Sequence, residues 1–310
     1  MYGLIWVEPT STTTFDKVNK EEFISLSDIS IDGKDVAPFD AERINHTLMG
    51  RFGNVMLVNG STSYALNVRQ GDVVRFAVLN SASTRVFKLM IPGVKLKLVG
   101  ADGGGYAHDT WVDSVIIAPS ERVLLEAQFE KKGSFTLLHK SPAATYTLGT
   151  ITVAAGKSTF DASKEFAVLK DRSADFPDIT SYYDKPIDKQ LDMTITMPGM
   201  PGNMHMMHDQ SPDGIEWEDT MHMMNKNSTD KSLAWVLKDH ATGLENHAID
   251  WVFKQGSFVK IRLFNDATSM HPMQHPIHFH GNRFLVLSEN GERTKNLVWK
   301  DSMLVPRGAT

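Results

Sequence analysis

The stretch QGDVVRFAVLNSAS at residues 70–83 decides the fold, because it recurs as QGSFVKIRLFNDAT at residues 255–268. Both copies begin with Gln-Gly, continue through mainly apolar residues with basic insertions, and reach an Asn at an offset of 185. Apolar residues recur at every second position, which predicts β-strands with one apolar face. These residues are Val74, Phe76 and Val78 in the first copy and Val259, Ile261 and Leu263 in the second.

The repeat continues downstream in the same order. PGVKLKLVGADG at 92–103 matches HGNRFLVLSENG at 280–291 at an offset of 188, and DSVIIAP at 113–119 matches DSMLVP at 301–306 with a one-residue gap. Three ordered matches indicate two copies of one all-β unit. Short strands broken by Gly, Asn, Asp and Pro favour a Greek-key sandwich or barrel.

The repeat also predicts the domain boundaries. Residues 21–156 form one unit, 157–187 a connection, and 188–310 a second unit with a Met-rich insert at 197–227. In the first unit the chain continues through 123–155, whereas the second ends at the equivalent of Arg122 or Val123. We therefore expect a truncated second unit with open strand edges.

Composition narrows the class of protein. A length of 310 residues predicts about two domains. A formal net charge of −5 gives no reason to expect nucleic acid or an anionic membrane as a partner. No apolar run approaches the roughly 18 residues of a membrane span, and the first residues do not resemble a signal peptide. The absence of cysteine excludes disulfides and thiolate metal sites.

The string HPIHFHG at 275–281 predicts a metal site. Imidazole is a common ligand of copper, zinc, iron and nickel. His278 and His280 are two residues apart, so on a strand they share a face at a spacing of about 7 Å. His275 has the opposite parity and can serve a second site behind the same strand. The first unit has Phe87, Met90 and Pro92 at these positions.

A second candidate site is the Met-rich segment TMPGMPGNMHMMHDQSPDGIEWEDTMHMMNK at 196–226. Thioethers are soft ligands that select Cu(I), and the interspersed Pro, Gly, His and Asp argue against a stripe of core methionines. The alternatives are methionines that fill a core or an adaptable surface, or a disordered loop of no fixed role. The candidate Cu(I) ligands are Met197, Met200, Met204, Met206, Met207, Met221, Met223, Met224, His205, His208 and His222.

HPIHFHG followed by an apolar strand resembles the last-domain motif of multicopper oxidases. VRQGDVVRFAVLN at 68–80 and VDSVIIAPSERVLLEAQF at 112–129 resemble the middle domain of that family, and YGLIWVEP at 2–9 resembles the end of its first domain. The resemblance implies an all-β fold of tandem cupredoxin-like Greek-key β-sandwich domains, the last one truncated. Residues 1–20 would be the tail of a first domain and a linker.

The resemblance also implies roles for the three histidines. His275 would bind the type 1 copper, His278 the type 2 copper and His280 a type 3 copper of a trinuclear cluster. The intact protein would oxidise Cu(I), or phenols and aromatic amines, with O2 as acceptor. The Met-rich insert resembles those of cuprous oxidases and favours Cu(I) and a role in copper tolerance. Members of this family are usually periplasmic or extracellular.

The chain departs from the family pattern in its ligands. The family's first domain supplies two His-x-His pairs, and its final motif is a His-Cys-His. The internal alignment puts the missing cysteine at His139, which we interpret as a structural residue in a loop-facing position. We expect these 310 residues alone not to perform the four-electron oxidation. A non-catalytic copper-binding or sequestering protein is one alternative, and assembly with another chain that supplies the missing ligands is another.

Overall fold

A computed structural model describes residues 3–7, 14–38, 50–156, 158–197, 211–220, 231–269 and 272–310. The described residues are mostly β-strands with a few short helices, so the predicted all-β class is confirmed. None of the helices in these ranges is long and apolar enough to span a membrane.

The first unit is a sandwich of two sheets. Its strands are β1 (Lys20–Ile29), β2 (Ile31–Asp32), β3 (Asp35–Val36), β4 (Val55–Val58), β5 (Tyr64–Arg69), β6 (Val73–Asn80), β7 (Phe87–Met90), β8 (Leu96–Ala101), β9 (Gly104–Val112), β10 (Val115–Ile117), β11 (Arg122–Gln128), β12 (Gly133–Lys140) and β13 (Thr145–Ala154). One sheet has the order β4-β1-β6-β11-β8-β9 and the other β10-β7-β12-β13-β5, while β2 and β3 form a hairpin. The main hydrophobic core lies between the two large sheets.

Strand β6 is buried on both faces. Val74, Phe76 and Val78 face the core, as the period-two pattern predicts. The opposite face is covered in part by the connection that follows the unit, where the helix α1 (Ser163–Ala167) packs Phe166 against Val73, and in part by Phe15, which packs against Ala77. A further short helix, α2 (Thr180–Asp184), and a 3-10 turn at Ser173–Asp175 complete this connection.

The second unit repeats the pairing of the first. Its strands are β14 (Lys189–Thr196), β15 (Ala234–Asp239), β16 (Ile261–Asn265), β17 (His275–His278), β18 (Ser288–Glu289), β19 (Glu292–Arg293) and β20 (Ser302–Val305), with a 3-10 turn at Asn246–Ala248. The order β15-β14-β16, with β14 parallel to β16, matches β4-β1-β6, in which β1 is parallel to β6. Strand β16 begins at Ile261, so Val259 precedes it rather than forming part of it.

The register of the repeat differs from the sequence alignment at one point. The pairs β7–β10 and β17–β20 correspond at an offset of 188. Ser120 N donates to Asn80 O, and Gly308 N donates to Asn265 O; the donors are 188 residues apart and the acceptors 185, and φ is positive at both Ser120 and Gly308. The predicted one-residue gap before Pro306 is therefore wrong, because the hydrogen bonds place Ala118 rather than Pro119 at its equivalent position.

Within the described residues, two strands of the second unit lack a neighbour that their counterparts in the first unit have. Strand β6 lies between β1 and β11, whereas its counterpart β16 pairs with β14 alone. Likewise β7 lies between β10 and β12, whereas β17 pairs with β20 alone. The edge of β17 without a described neighbour therefore belongs to the strand that carries His275 and His278.

Candidate metal centre

Strand β17 separates the three predicted histidines onto two faces. Burial alternates along the strand, with His275 and Ile277 half-buried and Pro276 and His278 exposed. This alternation agrees with the parity that the sequence predicts. His280 lies just beyond the end of the strand, in a turn, and is also exposed.

His278 and His280 lie side by side. Their ring centroids are 4.9 Å apart and the rings meet edge to face. His278 Nδ1 lies 2.9 Å from Asp301 O, which only accepts hydrogen bonds, so this contact favours the tautomer with the proton on Nδ1 and Nε2 left for a metal. Two adjacent metal ions in proteins are typically about 3.5–4 Å apart. The pair therefore suits either one metal or two neighbouring ones.

His275 lies in a different environment on the opposite face. Its ring meets Trp235 edge to face at a centroid distance of 4.9 Å. Burial lowers the pKa of His275 to about 4, so the imidazole is neutral at physiological pH, which is the form that binds metals. His275 borders a cleft of about 160 Å³ between the two units. The cleft is lined by Ser83, Thr84, Pro119, Trp235, Met273, Gln274, His275 and Pro276.

A partial donor set for copper follows from this geometry. The imidazoles of His278 and His280 converge, and His275 presents a neutral ring behind them. Across the described ranges, no group of three or more His, Asp or Glu side chains could hold a metal ion by itself. The sequence has no cysteine. Imidazole donors of this kind suit copper, and among the described residues they do not by themselves form a complete ligand set.

Most of the Met-rich candidates lie outside the described residues. These are Met200, Met204, Met206, Met207, Met221, Met223, Met224, His205, His208 and His222. Met197 is described and is buried in a small core with Ile195, Leu233 and Met273, against which Trp235 packs. Met197 is therefore a packing residue in the cluster that supports Trp235, whose ring contacts His275. The role of Met197 in Cu(I) binding stays a prediction.

The segment between the two Met-rich stretches is docked on the first unit. Ile215 and Trp217 pack against Val86 in one cluster. Arg85 donates to Trp217 O at 3.2 Å and pairs with Glu218 at 3.0 Å. This contact anchors Ile215, Trp217 and Glu218 on the first unit, which the sequence did not indicate.

His139 is buried on β12 rather than loop-facing, so that part of the prediction is wrong. Its ring stacks on Tyr146 at 5.6 Å and meets Phe87 at 5.0 Å. Nδ1 accepts a hydrogen bond from Lys88 N at 2.9 Å. Phe87 is the counterpart of His275, so the first unit has a packed aromatic cluster where the second has a candidate ligand.

Sequence reasoning missed the residues that hold His278 in place. Asp301 and Ser302 contact His278, and Arg122 of the first unit forms an ion pair with Asp301. The hydrogen bond from Arg122 lowers the pKa of Asp301 to about 2, so this carboxylate is charged. The repeated motif DSV and DSM contains Asp301, and the pairing of that motif with the histidine strand could have indicated the contact.

Comparison with known proteins gives one family. The family model described as "Multicopper oxidase" matches residues 25–158, and a second of the same description matches residues 214–310. The iron transport multicopper oxidase fetC of Epichloe festucae is 24% identical over 305 residues, which cover 92% of this chain and 46% of fetC. The multicopper oxidase LPR1 of Arabidopsis thaliana is 33% identical over 88 residues, 28% of this chain and 15% of LPR1.

Solved structures show the same fold. The laccase-like multicopper oxidase CueO from Ochrobactrum sp. has a TM-score of 0.65 at 24% identity, covering 93% of this chain and 58% of that one. This chain spans about half the length of the relatives that it matches along most of its own length. The likeness confirms the predicted cupredoxin-like fold. Two matching family models, the curated relatives and these structures lead to one conclusion: the chain belongs to the multicopper oxidase family.

Proposed function

We propose that this chain is part of an oxidase that couples one-electron oxidation of Cu(I), or of phenolic and aromatic substrates, to the four-electron reduction of O2 to water. The observation that supports the proposal best is the pair of exposed imidazoles, His278 and His280, with His275 on the opposite face of the same strand. Bound copper would supply the electron transfer and O2 chemistry. His275 would hold the type 1 copper, and His278 and His280 the type 2 and type 3 coppers.

The chain's own contribution is to hold three imidazoles in two environments. His275 packs against Trp235 and both residues line the cleft between the units, so a reductant in that cleft would lie beside the ring of His275. His278 and His280 are exposed on the other side, which suits access by O2. Strand β17 would therefore connect a site for the reductant at His275 with a site for O2 at His278 and His280.

The reducing substrate is a separate proposal. We favour Cu(I), because the Met-rich stretches flank a docked segment and their thioethers suit a soft cation. Phenols are the alternative. The names of the relatives include an iron transport oxidase, a metallo-oxidase and an oxidase acting on lignin model compounds, which fits either class. A faster rate of oxygen uptake with Cu(I) than with a phenol would favour the first, and the reverse order would overturn it.

A non-catalytic copper-binding or sequestering role is the second candidate function. It is supported by the paired imidazoles of His278 and His280, which could bind copper without a thiolate. Under either function we propose a periplasmic or extracellular location and a role in copper tolerance. A third arrangement, in which another chain supplies the missing ligands, predicts that a Cys-containing partner co-purifies.

Copper binding by His278→Ala tests the histidine site. We expect this substitution to weaken Cu(II) binding by more than about tenfold, because it removes one of the convergent ligands. The matched control is His247→Ala, which removes an exposed histidine far along the chain from the motif. Equal copper loading in all three proteins would exclude β17 as the site.

Oxygen consumption separates the two functions. Uptake of O2 driven by Cu(I) or a phenol, lost in His278→Ala and kept in His247→Ala, would support the oxidase. Because the chain alone is expected not to carry out the four-electron reduction, uptake is measured with the missing ligands supplied by the longer protein or by a partner chain. Tight copper binding without O2 uptake in that assembly would contradict the oxidase and favour sequestration.

A further inference from the structure

The hydrogen bonds of His278 lead across the boundary between the two units. His278 Nδ1 lies 2.9 Å from Asp301 O and 3.0 Å from Ser302 Oγ. Ser302 Oγ donates its own proton to Asp301 Oδ1 at 2.8 Å, so its oxygen is left to accept from His278. Both contacts favour the tautomer with its proton on Nδ1, which leaves Nε2 to bind a metal.

Arg122 of the first unit forms a bidentate ion pair with Asp301. Its Nη1 is 2.7 Å from Asp301 Oδ1 and its Nη2 is 2.5 Å from Oδ2. Such parallel hydrogen bonds fix the plane of the carboxylate as well as its position. Asp301 Oδ1 is also the acceptor for Ser302, so the guanidinium determines where the serine hydroxyl points.

Arg122 is itself fixed by a buried acid of the first unit. Arg122 N donates to Asp102 Oδ1 at 2.8 Å, and the side chain of Asp102 is fully buried. Ser302 N also lies 3.4 Å from Asp102 Oδ2. The first unit therefore holds both residues that lie within hydrogen-bond distance of the ring of His278.

We propose that Arg122 is a positioning residue for His278. Through Asp301 and Ser302, Arg122 fixes the tautomer of His278 that offers Nε2 to a metal. As regards copper the inference rests on the proposed function, whereas the tautomer is a property of the chain without metal. The first unit has Phe87 and Met90 where the second has His275 and His278. It contributes to the site by orienting a ligand of its neighbour.

The tautomer of His278 in the copper-free chain is the first test. Ring 15N NMR at a pH where the ring is neutral should show the Nδ1-protonated form, with His278→Gln used to assign the signal. In Arg122→Gln we expect a shift toward the Nε2-protonated form, and in Arg122→Lys a smaller shift. Asn296→Ala is the matched control, because it removes another contact between the units, from Asn296 Nδ2 to His108 O at 2.7 Å.

Copper binding is the second readout. We expect Arg122→Gln to weaken Cu(II) binding by about 10- to 100-fold, the usual effect of losing a residue that orients a metal ligand. Pulsed EPR of the bound Cu(II) should also show an altered coupling to the remote ring nitrogen, since its hydrogen bond has changed. If Arg122→Gln does not fold, Asp301→Asn carries the same test, because it keeps the main-chain oxygen and breaks the ion pair.

The outcomes distinguish this inference from the proposed function. An unchanged His278 tautomer in the Arg122 and Asp301 variants overturns the positioning role, whatever happens to copper. A tautomer that responds in a chain that binds no copper supports the positioning role and contradicts the proposed function. Equal responses in Arg122→Gln and Asn296→Ala would show a general effect of loosening the two units, and would also overturn it.

Discussion

At the scale of single residues, His139 makes the stability of the first unit depend on pH. Burial, and then the nearby charge of Arg85, lowers the pKa of His139 to about 4 from 6.5. The unfolded chain therefore binds a proton that the folded chain excludes as pH falls from about 6.5 toward 4. We expect the free energy of unfolding to fall across that range by about 2–3 kcal/mol from this group.

Urea unfolding at several pH values between 7 and 4 measures this contribution. His139→Gln keeps an acceptor for Lys88 N, which the ring now satisfies at 2.9 Å. The free energy of unfolding of the variant should fall less steeply with decreasing pH, because about one proton fewer is taken up on unfolding. Its stability at pH 7 should nevertheless be lower. Parallel curves for the two proteins would mean that His139 has the same pKa in the folded and the unfolded chain, contrary to its buried position.

At the scale of elements, one asparagine in each unit joins a strand end to the strand pair beside it. Asn80 Nδ2 donates to Arg85 O and Ile117 O, both at 2.8 Å. Asn265 Nδ2 makes the equivalent bonds to Met273 O at 2.6 Å and Val305 O at 3.1 Å. These bonds explain why both copies of the repeated strand end in Asn.

The two asparagines form a matched pair for mutation. We expect Asn265→Ala to cost about 2–4 kcal/mol of stability, because buried carbonyl oxygens lose their donor. It should also weaken copper binding, since Met273 and Val305 flank β17. Asn80→Ala should cost a similar amount without changing the affinity for copper. Hydrogen exchange of β17 and β20 checks the mechanism, and unchanged protection in Asn265→Ala would contradict it.

At the scale of the whole molecule, Lys300 joins the two units electrostatically. Its Nζ lies 3.1 Å from Glu121 and 3.4 Å from Asp102, both of the first unit. Main-chain bonds from Gly103 N to Trp299 O and from Ala107 N to Leu297 O lie beside it. We expect the units to unfold in one calorimetric transition because these contacts couple them.

Lys300→Met should separate that transition into two. It leaves the carboxylates of Glu121 and Asp102 with less compensation, and the loss of one partner of a buried ion pair costs about 3–5 kcal/mol. Lys295→Met is the control, since Lys295 is exposed on the same stretch of chain. A single transition in both variants would mean that the main-chain contacts alone couple the units.

The repeated β unit, the all-β class and the opposite faces of His275 and His278 were predictable from the sequence. These are local properties, because the period of two residues and the spacing within HPIHFHG are readable along a single strand. The sequence also placed the chain in its family, since the repeated strand and the histidine motif are both continuous in sequence. The one-residue gap that the sequence alignment predicted is absent from the structure, because the hydrogen bonds between strands set the register there.

Only the tertiary structure decided which residues hold the site. Arg122 and Asp301 are 179 residues apart, and Arg85 and Trp217 are 132 apart, so no local pattern indicates either contact. It also decided that His139 is buried and that the connection after the first unit covers part of the outer face of β6. The physical reason is that a period reports which face of a strand a residue occupies, whereas the partner on that face is determined by how distant segments pack.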